Sequence, residues 1–127
     1  MLIGLTQNGV RKRWPVILAA PVAILILSTP ALGVELEMGK KIYLNICQVC
    51  HGERGDGQTF VANVLSPPPR NFTSEISRKE LTRTRMIRSV TNGRPGTAMM
   101  PWKSRLSTGE IREVVAFIRK EFMGLRE

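Results

Sequence analysis

At 127 residues the chain has room for one ordinary domain and a short targeting segment. Its 19 Lys and Arg against 10 Asp and Glu give a formal charge of +9, a balance that would suit nucleic acid, anionic lipid or an acidic protein partner. Nucleic acid is the first to be excluded, because aromatic residues, 6% of the chain, are not interleaved with the charges as they are in single-strand binders.

Arg11, Lys12 and Arg13 precede an apolar run over residues 14–27. That run has the length of the hydrophobic region of a signal peptide and is short of the roughly 20 residues needed to cross a bilayer. Ala31-Leu32-Gly33 then offers small residues at the −3 and −1 positions for cleavage after Gly33. Residues 1–33 therefore read as a signal peptide, or as an N-terminal membrane anchor if Ser28, Thr29 and Pro30 are tolerated inside the span. Residues 34–127 read as the functional domain. Either way the positive flank stays inside, which puts Val34 onward in the periplasm or on the extracytoplasmic face of the membrane. Three of the basic residues and none of the acidic ones lie before Gly33, so the exported part is still strongly basic. A domain this small buries a limited share of its surface and commonly needs a disulfide, a metal or a cofactor to complete its core.

The first element of that domain is predicted as a helix over 35–45, with Leu36, Gly39, Ile42, Tyr43 and Ile46 at helical spacing and Glu35 and Glu37 in the first turn. It runs straight into Cys47. From 52 to 73 the signals are those of loop: Gly52, Gly55 and Gly57, then Pro67, Pro68 and Pro69. Ser77-Arg78-Lys79-Glu80 has the pattern of a capping box, and with Leu81, Met86, Ile87 and Val90 it predicts one helix ending at Asn92-Gly93. A second such box, Ser107 to Glu110, opens a last helix whose apolar face is Ile111, Val114, Val115, Ile118 and Phe122, with Gly124 as its stop. Strand signals are weak throughout. The expected class is all-α, three main helices joined by loops that must wrap something.

The chemistry lies in Cys47-Gln48-Val49-Cys50-His51. Two thiols at i and i+3 on one turn can each add to a vinyl group on one edge of a haem, and the adjacent His can ligate the iron from below. A thioredoxin-like pair would need a strand before it and a helix after it, whereas here a helix precedes and a Gly-rich loop follows. A zinc site would need four ligands, and these are the only Cys and the only His in the chain. A plain disulfide leaves His51 unexplained. One covalent haem c is therefore the expected cofactor. With no second His, a methionine thioether is the expected distal ligand, and it would favour ferrous iron. Met38, Met86 and Met123 fall on predicted helices and read as core. Met99 and Met100 fall in the irregular segment 92–102, between Gly96 and Pro101, where a sulfur can be offered without breaking a helix.

Gly39, Tyr43 and the Cys47 to His51 pentapeptide, Gly52 to Gly57, Gly96-Thr97-Ala98-Met99 with Trp102, and Leu106-Ser107 with Glu110 together resemble the class I c-type cytochromes, small bacterial monohaem carriers and subunits. The resemblance covers nearly all of 35–122. It implies the cytochrome c fold, with the first and last helices crossing at Gly39 beside Tyr43 and Phe117, and the haem in the crevice between them and the loops. The family usually reads Gly-Thr-x-Met-Pro. Counting from Gly96 or Trp102 selects Met99, and counting from Pro101 selects Met100; Met99 is the expected distal ligand and Met100 the alternative. Arg70 and Trp102 are candidates for contacts to the haem propionates.

The expected function is electron transfer, as a periplasmic carrier or as a subunit of a redox complex, with no small-molecule substrate and no catalysis of its own. The alternative is a haem-based sensor or peroxidase-like protein with a displaceable distal ligand, for which the chain lacks a distal His or acid–base pair. Expected partners are redox proteins with acidic docking surfaces, met by Arg78, Lys79, Arg83, Arg85 and Arg88 on the middle helix and by Arg94, Lys103 and Arg105 beside the distal loop.

Overall fold

The computed structural model describes Gly4 and residues 31–126, with the side chains of the domain described from Leu36 onward. The apolar run at 14–27, on which the leader or anchor reading rests, lies outside the described residues. Among the described residues the regular structure is helical throughout, with no strand, and no helix is long and apolar enough to cross a membrane.

Helix α1 (Ala31–Ile42) continues through one π-helical turn (Tyr43–Cys47) into the short α2 (Gln48–His51), so the first helical rod extends beyond both ends of the predicted 35–45. The π turn fits one extra residue into the rod immediately before the cysteines, a distortion that in helices often accompanies functional sites. Gly52 ends the rod with φ +80°, and its would-be Cβ lies 2.8 Å from the Asp56 carboxylate, so a side chain is disfavoured there on two counts.

The predicted single helix over 77–92 is in fact two, α3 (Glu75–Glu80) and α4 (Arg83–Asn92). The expected capping box from Ser77 to Glu80 does not form. Ser74 caps α3, accepting from the Ser77 amide at 3.1 Å, while Ser77 itself is buried and donates to the backbone oxygen of Asn71. Leu81 turns into the core with non-helical backbone, Thr82 becomes extended, and the Thr82 hydroxyl caps α4 through the Arg85 amide at 3.2 Å. Burying Leu81 takes precedence over the continuous helical periodicity. Helix α5 (Thr108–Glu121) opens with the expected reciprocal capping box between Ser107 and Glu110. It closes where expected: Gly124 has φ +65°, and the Leu125 amide donates back to the Arg119 oxygen at 2.9 Å.

α1 packs across α5, and α4 packs on the same helix. The α1–α5 contact is closest at Gly39, where a Cβ would sit 2.3 Å from the Glu113 backbone oxygen and 2.9 Å from the Phe117 Cβ. One turn further on, Tyr43 is fully buried against Phe117 and Phe122, with ring centroids 5.6 and 4.9 Å away. Ile111, Val114, Val115 and Ile118 of α5 complete the core with Met86 and Val90 of α4, in keeping with the apolar periodicity of both helices.

Because the obstacle at position 39 is backbone, it cannot step aside as a side-chain tip would. Gly39→Ala is expected to cost about 1–3 kcal/mol in denaturant unfolding of the haem-loaded protein, at the upper end of that range. Gly109→Ala in the first turn of α5, where the nearest atom to a new Cβ is 3.8 Å away, should instead gain up to about 1 kcal/mol.

Candidate functional site

The end of the first helical rod, the proline-rich loop, α4 and the segment that follows it enclose one cavity of about 510 Å³. Its lining is mostly apolar, and its size falls within the roughly 300–1,000 Å³ of cofactor-sized pockets. Cys47, Cys50 and His51 line it from the rod, and Met99, Met100 and Trp102 line it from the segment after α4.

His51 is held on three sides. Its Nδ1 lies 3.2 Å from the backbone oxygen of Arg70, and because a carbonyl can only accept, that nitrogen carries the proton. Nε2 is left with its lone pair, the form required of a metal-ligating imidazole whose orientation is fixed by a second partner. The ring stacks on Phe72 with centroids 4.5 Å apart and planes 15° off parallel. Burial pushes the His51 pKa down, opposed by the Arg70 hydrogen bond, so the imidazole is kept neutral. The surrounding loop is tied by its backbone: the Gly57 amide donates to the His51 oxygen at 2.8 Å, and the Phe72 amide to the Gly55 oxygen at 2.7 Å.

Cys47 and Cys50 are not joined to each other in a disulfide. Burial, reinforced by the neighbouring Cys50, pushes the Cys47 thiol up to about 12. Among the described residues no group of three or more His, Cys, Asp or Glu is placed to hold a bare metal ion. An apolar cavity bordered by two thiols one turn apart, by a neutral imidazole with Nε2 free and by two thioethers is a poor zinc site and a good fit to a covalently held haem.

The two methionines are positioned by the last turn of α4. Gly93 has φ +68°, and a Cβ there would lie 2.6 Å from the Met99 oxygen and 2.8 Å from the Pro101 nitrogen, so the methionine segment runs directly over it. The Arg94 amide donates to the Met99 oxygen at 2.9 Å, the Met99 amide to the Thr97 hydroxyl at 3.1 Å, and the Trp102 amide to the Val90 oxygen at 3.0 Å. Met99 is half-buried and packs against the core, whereas Met100 is 54% exposed.

Arg70 and Trp102, expected at the propionates, both line the cavity. The guanidinium of Arg70 is ion-paired with Glu80, while its backbone oxygen serves His51. Trp102 is half-buried against the core. Sequence reasoning missed the Arg70 carbonyl and the Phe72 stack, since neither a backbone acceptor nor a ring partner about 20 residues away leaves a local pattern. It also did not single out Arg85, Ser89 and Arg94 as cavity residues, although Arg85 and Ser89 stand one helical turn apart beside Met86 and Val90.

A family model described as cytochrome c oxidase, cbb3-type, subunit III matches residues 34–118. The chain belongs to that family. It is 28% identical over 82 residues to the cbb3-type cytochrome c oxidase subunit CcoP of Azospirillum brasilense, a match that covers 65% of this chain and 27% of the relative, so the chain spans about a quarter of that protein's length. Among solved structures it is similar to the KustC0563 c-type cytochrome, with TM-score 0.57 and 28% identity over 70% of this chain and 98% of the other. It is also similar to a chain of the reducing HAO-like protein complex Kustc0457/Kustc0458 of Kuenenia stuttgartiensis, with TM-score 0.57 and 30% identity over 72% and 45% of the two chains. The fold is thus the cytochrome c fold, the cofactor is covalent haem c, and the domain transfers electrons through it.

Tyr43, the chain's only tyrosine, donates from its hydroxyl to the Gly52 oxygen at 2.6 Å and so fixes the residue after His51. Its pKa is raised, first by burial and then by the nearby Cys47 and Asp56. Tyr43→Phe should cost about 1 kcal/mol near pH 7 by leaving that carbonyl without its partner. The gap should close as pH rises above about 10, because the unfolded tyrosine ionises while the folded one stays protonated, which removes about 1.4 kcal/mol per pH unit from the native protein alone. Denaturant unfolding of both proteins at pH 7, 10 and 11 measures the crossover.

Proposed function

We propose that Cys47 and Cys50 hold the haem by thioethers, that His51 is its proximal ligand through Nε2, and that Met99 is the distal ligand in preference to Met100. The observation that carries this reading is the His51 imidazole: neutral, stacked on Phe72 and oriented by the Arg70 carbonyl, with both thiols and the methionine segment on the same cavity. Met99 is preferred because its backbone is anchored at both the amide and the carbonyl and its side chain packs against the core, while Met100, which also lines the cavity, is 54% exposed. The bound haem supplies a one-electron couple at iron. The chain's own residues keep the imidazole in one tautomer, hold a thioether at hand and keep water from much of the cavity through its apolar lining.

On this reading residues 34–127 are the cytochrome domain and residues 1–33 a signal peptide or membrane anchor, placing the domain on the outer, periplasmic face of the membrane. The chain acts as an electron-transfer subunit or carrier that turns over no small molecule. This is supported by its relationship to a cbb3 oxidase subunit and to a chain of an HAO-like complex, both parts of redox assemblies. Its partners are redox proteins, with acidic docking surfaces that complement exposed Arg78, Lys79, Arg83, Arg88, Lys103 and Arg105.

Cys47→Ser or Cys50→Ser is expected to leave a single thioether, and the double substitution should give a chain that does not stain for haem after denaturing electrophoresis. Persistent staining of the double variant would remove these residues as the attachment points. Met99→Ala should abolish the far-red sulfur-to-iron absorption band and lower the midpoint potential, while Met100→Ala leaves both in place. The opposite pattern in the two spectra assigns the ligand to Met100.

A further inference from the structure

A haem is an apolar disc that carries two carboxylates, and a carboxylate enters an apolar cavity only with partners that satisfy its charge. No Asp or Glu lines this cavity, and three arginines do: Arg70, Arg85 and Arg94. They are not equivalent. Arg70 already meets a carboxylate, that of Glu80. Among the described residues neither Arg85 nor Arg94 is ion-paired with an acid. Arg85 donates from Nη1 to the Glu80 backbone oxygen at 3.3 Å, and Arg94 donates from Nη1 to the Ser89 hydroxyl at 3.3 Å, both long bonds to neutral acceptors. A guanidinium has five N–H donors, so most of the donor capacity of both is uncommitted in these contacts.

Arg85 and Ser89 are one turn apart on α4 and therefore on one face of it, and the Arg94 contact to Ser89 extends that strip toward the methionine segment. All three residues line the cavity. Half-buried Arg85 and Ser89 stand beside Met86 and Val90, which are buried in the core, so the strip borders the apolar lining while part of it remains in water. Arg88, on the same helix, does not line the cavity.

Resting on the proposed attachment at Cys47, Cys50 and His51, we infer that Arg85 and Arg94, bridged by Ser89, are the residues that receive the haem propionates, and that Arg70 is a structural arginine whose side chain serves Glu80 and whose carbonyl serves His51. Two cations at the carboxylates hold the propionates ionised to lower pH than a solvated carboxylate would allow. They also disfavour the additional positive charge of the ferric state, so they raise the reduction potential. Arg85 and Arg94 are positioning residues for the cofactor. They take no part in binding a redox partner through this role.

The test uses the haem-loaded protein, with midpoint potentials measured by spectroelectrochemistry across pH for Arg85→Gln, Arg94→Gln, Arg70→Gln and Arg88→Gln. Arg85→Gln and Arg94→Gln should each lower the potential near pH 7. They should also move to higher pH the point at which the potential begins to fall with propionate ionisation. Arg85→Lys should recover most of the potential, since it keeps the charge and loses only the fork of donors. Arg88→Gln on the outer face and Arg70→Gln should leave the pH break where it is. A shifted break in Arg70→Gln with none in the other two assigns the propionates to Arg70 and overturns the inference, as does an unmoved break in all four. Because the attachment residues are intact in every variant, absence of covalent haem from the native protein would instead overturn the attachment proposed above, so the two failures are told apart.

Discussion

Helices α1 and α5 approach backbone to backbone at Gly39, with no room for a Cβ between it and the Glu113 carbonyl. What lies downstream on the rod inherits its place from that crossing. With the helices so close, Tyr43 on the next turn has no route but into the aromatic cluster with Phe117 and Phe122, whose rings are themselves 5.6 Å apart and nearly perpendicular. From there its hydroxyl reaches the Gly52 carbonyl, and Gly52 is the residue after His51. A contact more than ten residues away thus sets where the imidazole stands.

The opposite side of the site is built by backbone hydrogen bonds, because the segments there have no periodicity with which to pack. The Arg70 carbonyl, the Gly55 and His51 carbonyls and the Val90 carbonyl each receive or orient a group from another segment. Arg119 of α5 adds a bond of 3.0 Å to the Leu81 carbonyl at the break between α3 and α4. Loops this irregular remain ordered only when their polar backbone groups are satisfied in such a way. The prolines at 67–69 have no amide to satisfy and so need no partner on that side.

The sequence was most legible where a residue type has one physical use. Ser107 with Glu110 forms the reciprocal cap it suggests and Gly124 closes α5, while the meeting of Gly39, Tyr43 and Phe117 at the crossing was legible through the family resemblance. It was least legible where two local patterns competed. Ser74, Ser77 and Thr82 are all plausible caps, and only the burial of Ser77 and Leu81 decides among them, a tertiary fact with no local signature. In the site, the thiols and the imidazole stood out by their spacing and the methionine pair by its place in an irregular segment of a chain with no second His, and all five line the same cavity. The Arg70 carbonyl could not, since every residue has one. Arg70 was singled out for its side chain, yet the structure ties its main chain to His51 and its guanidinium to Glu80.

The segment from Arg94 to Met99 is pinned at its two ends and open in the middle. Its ends are joined by the Arg94 amide and the Met99 oxygen, while Pro95, Gly96 and Ala98 are exposed and nothing approaches within 4 Å of the place where a Gly96 side chain would begin. Substitutions at Pro95, which does not line the cavity, change what the outer surface shows without touching Thr97, whose hydroxyl holds the Met99 amide. Gly96 carries the constraint of φ +76°, and Thr97 that of its bonds to the Arg94 oxygen and the Met99 amide. The fold therefore separates two requirements within six residues: Pro95 is free to alter the face shown to other molecules, while Thr97 to Met99 are bound to the shape of the cavity.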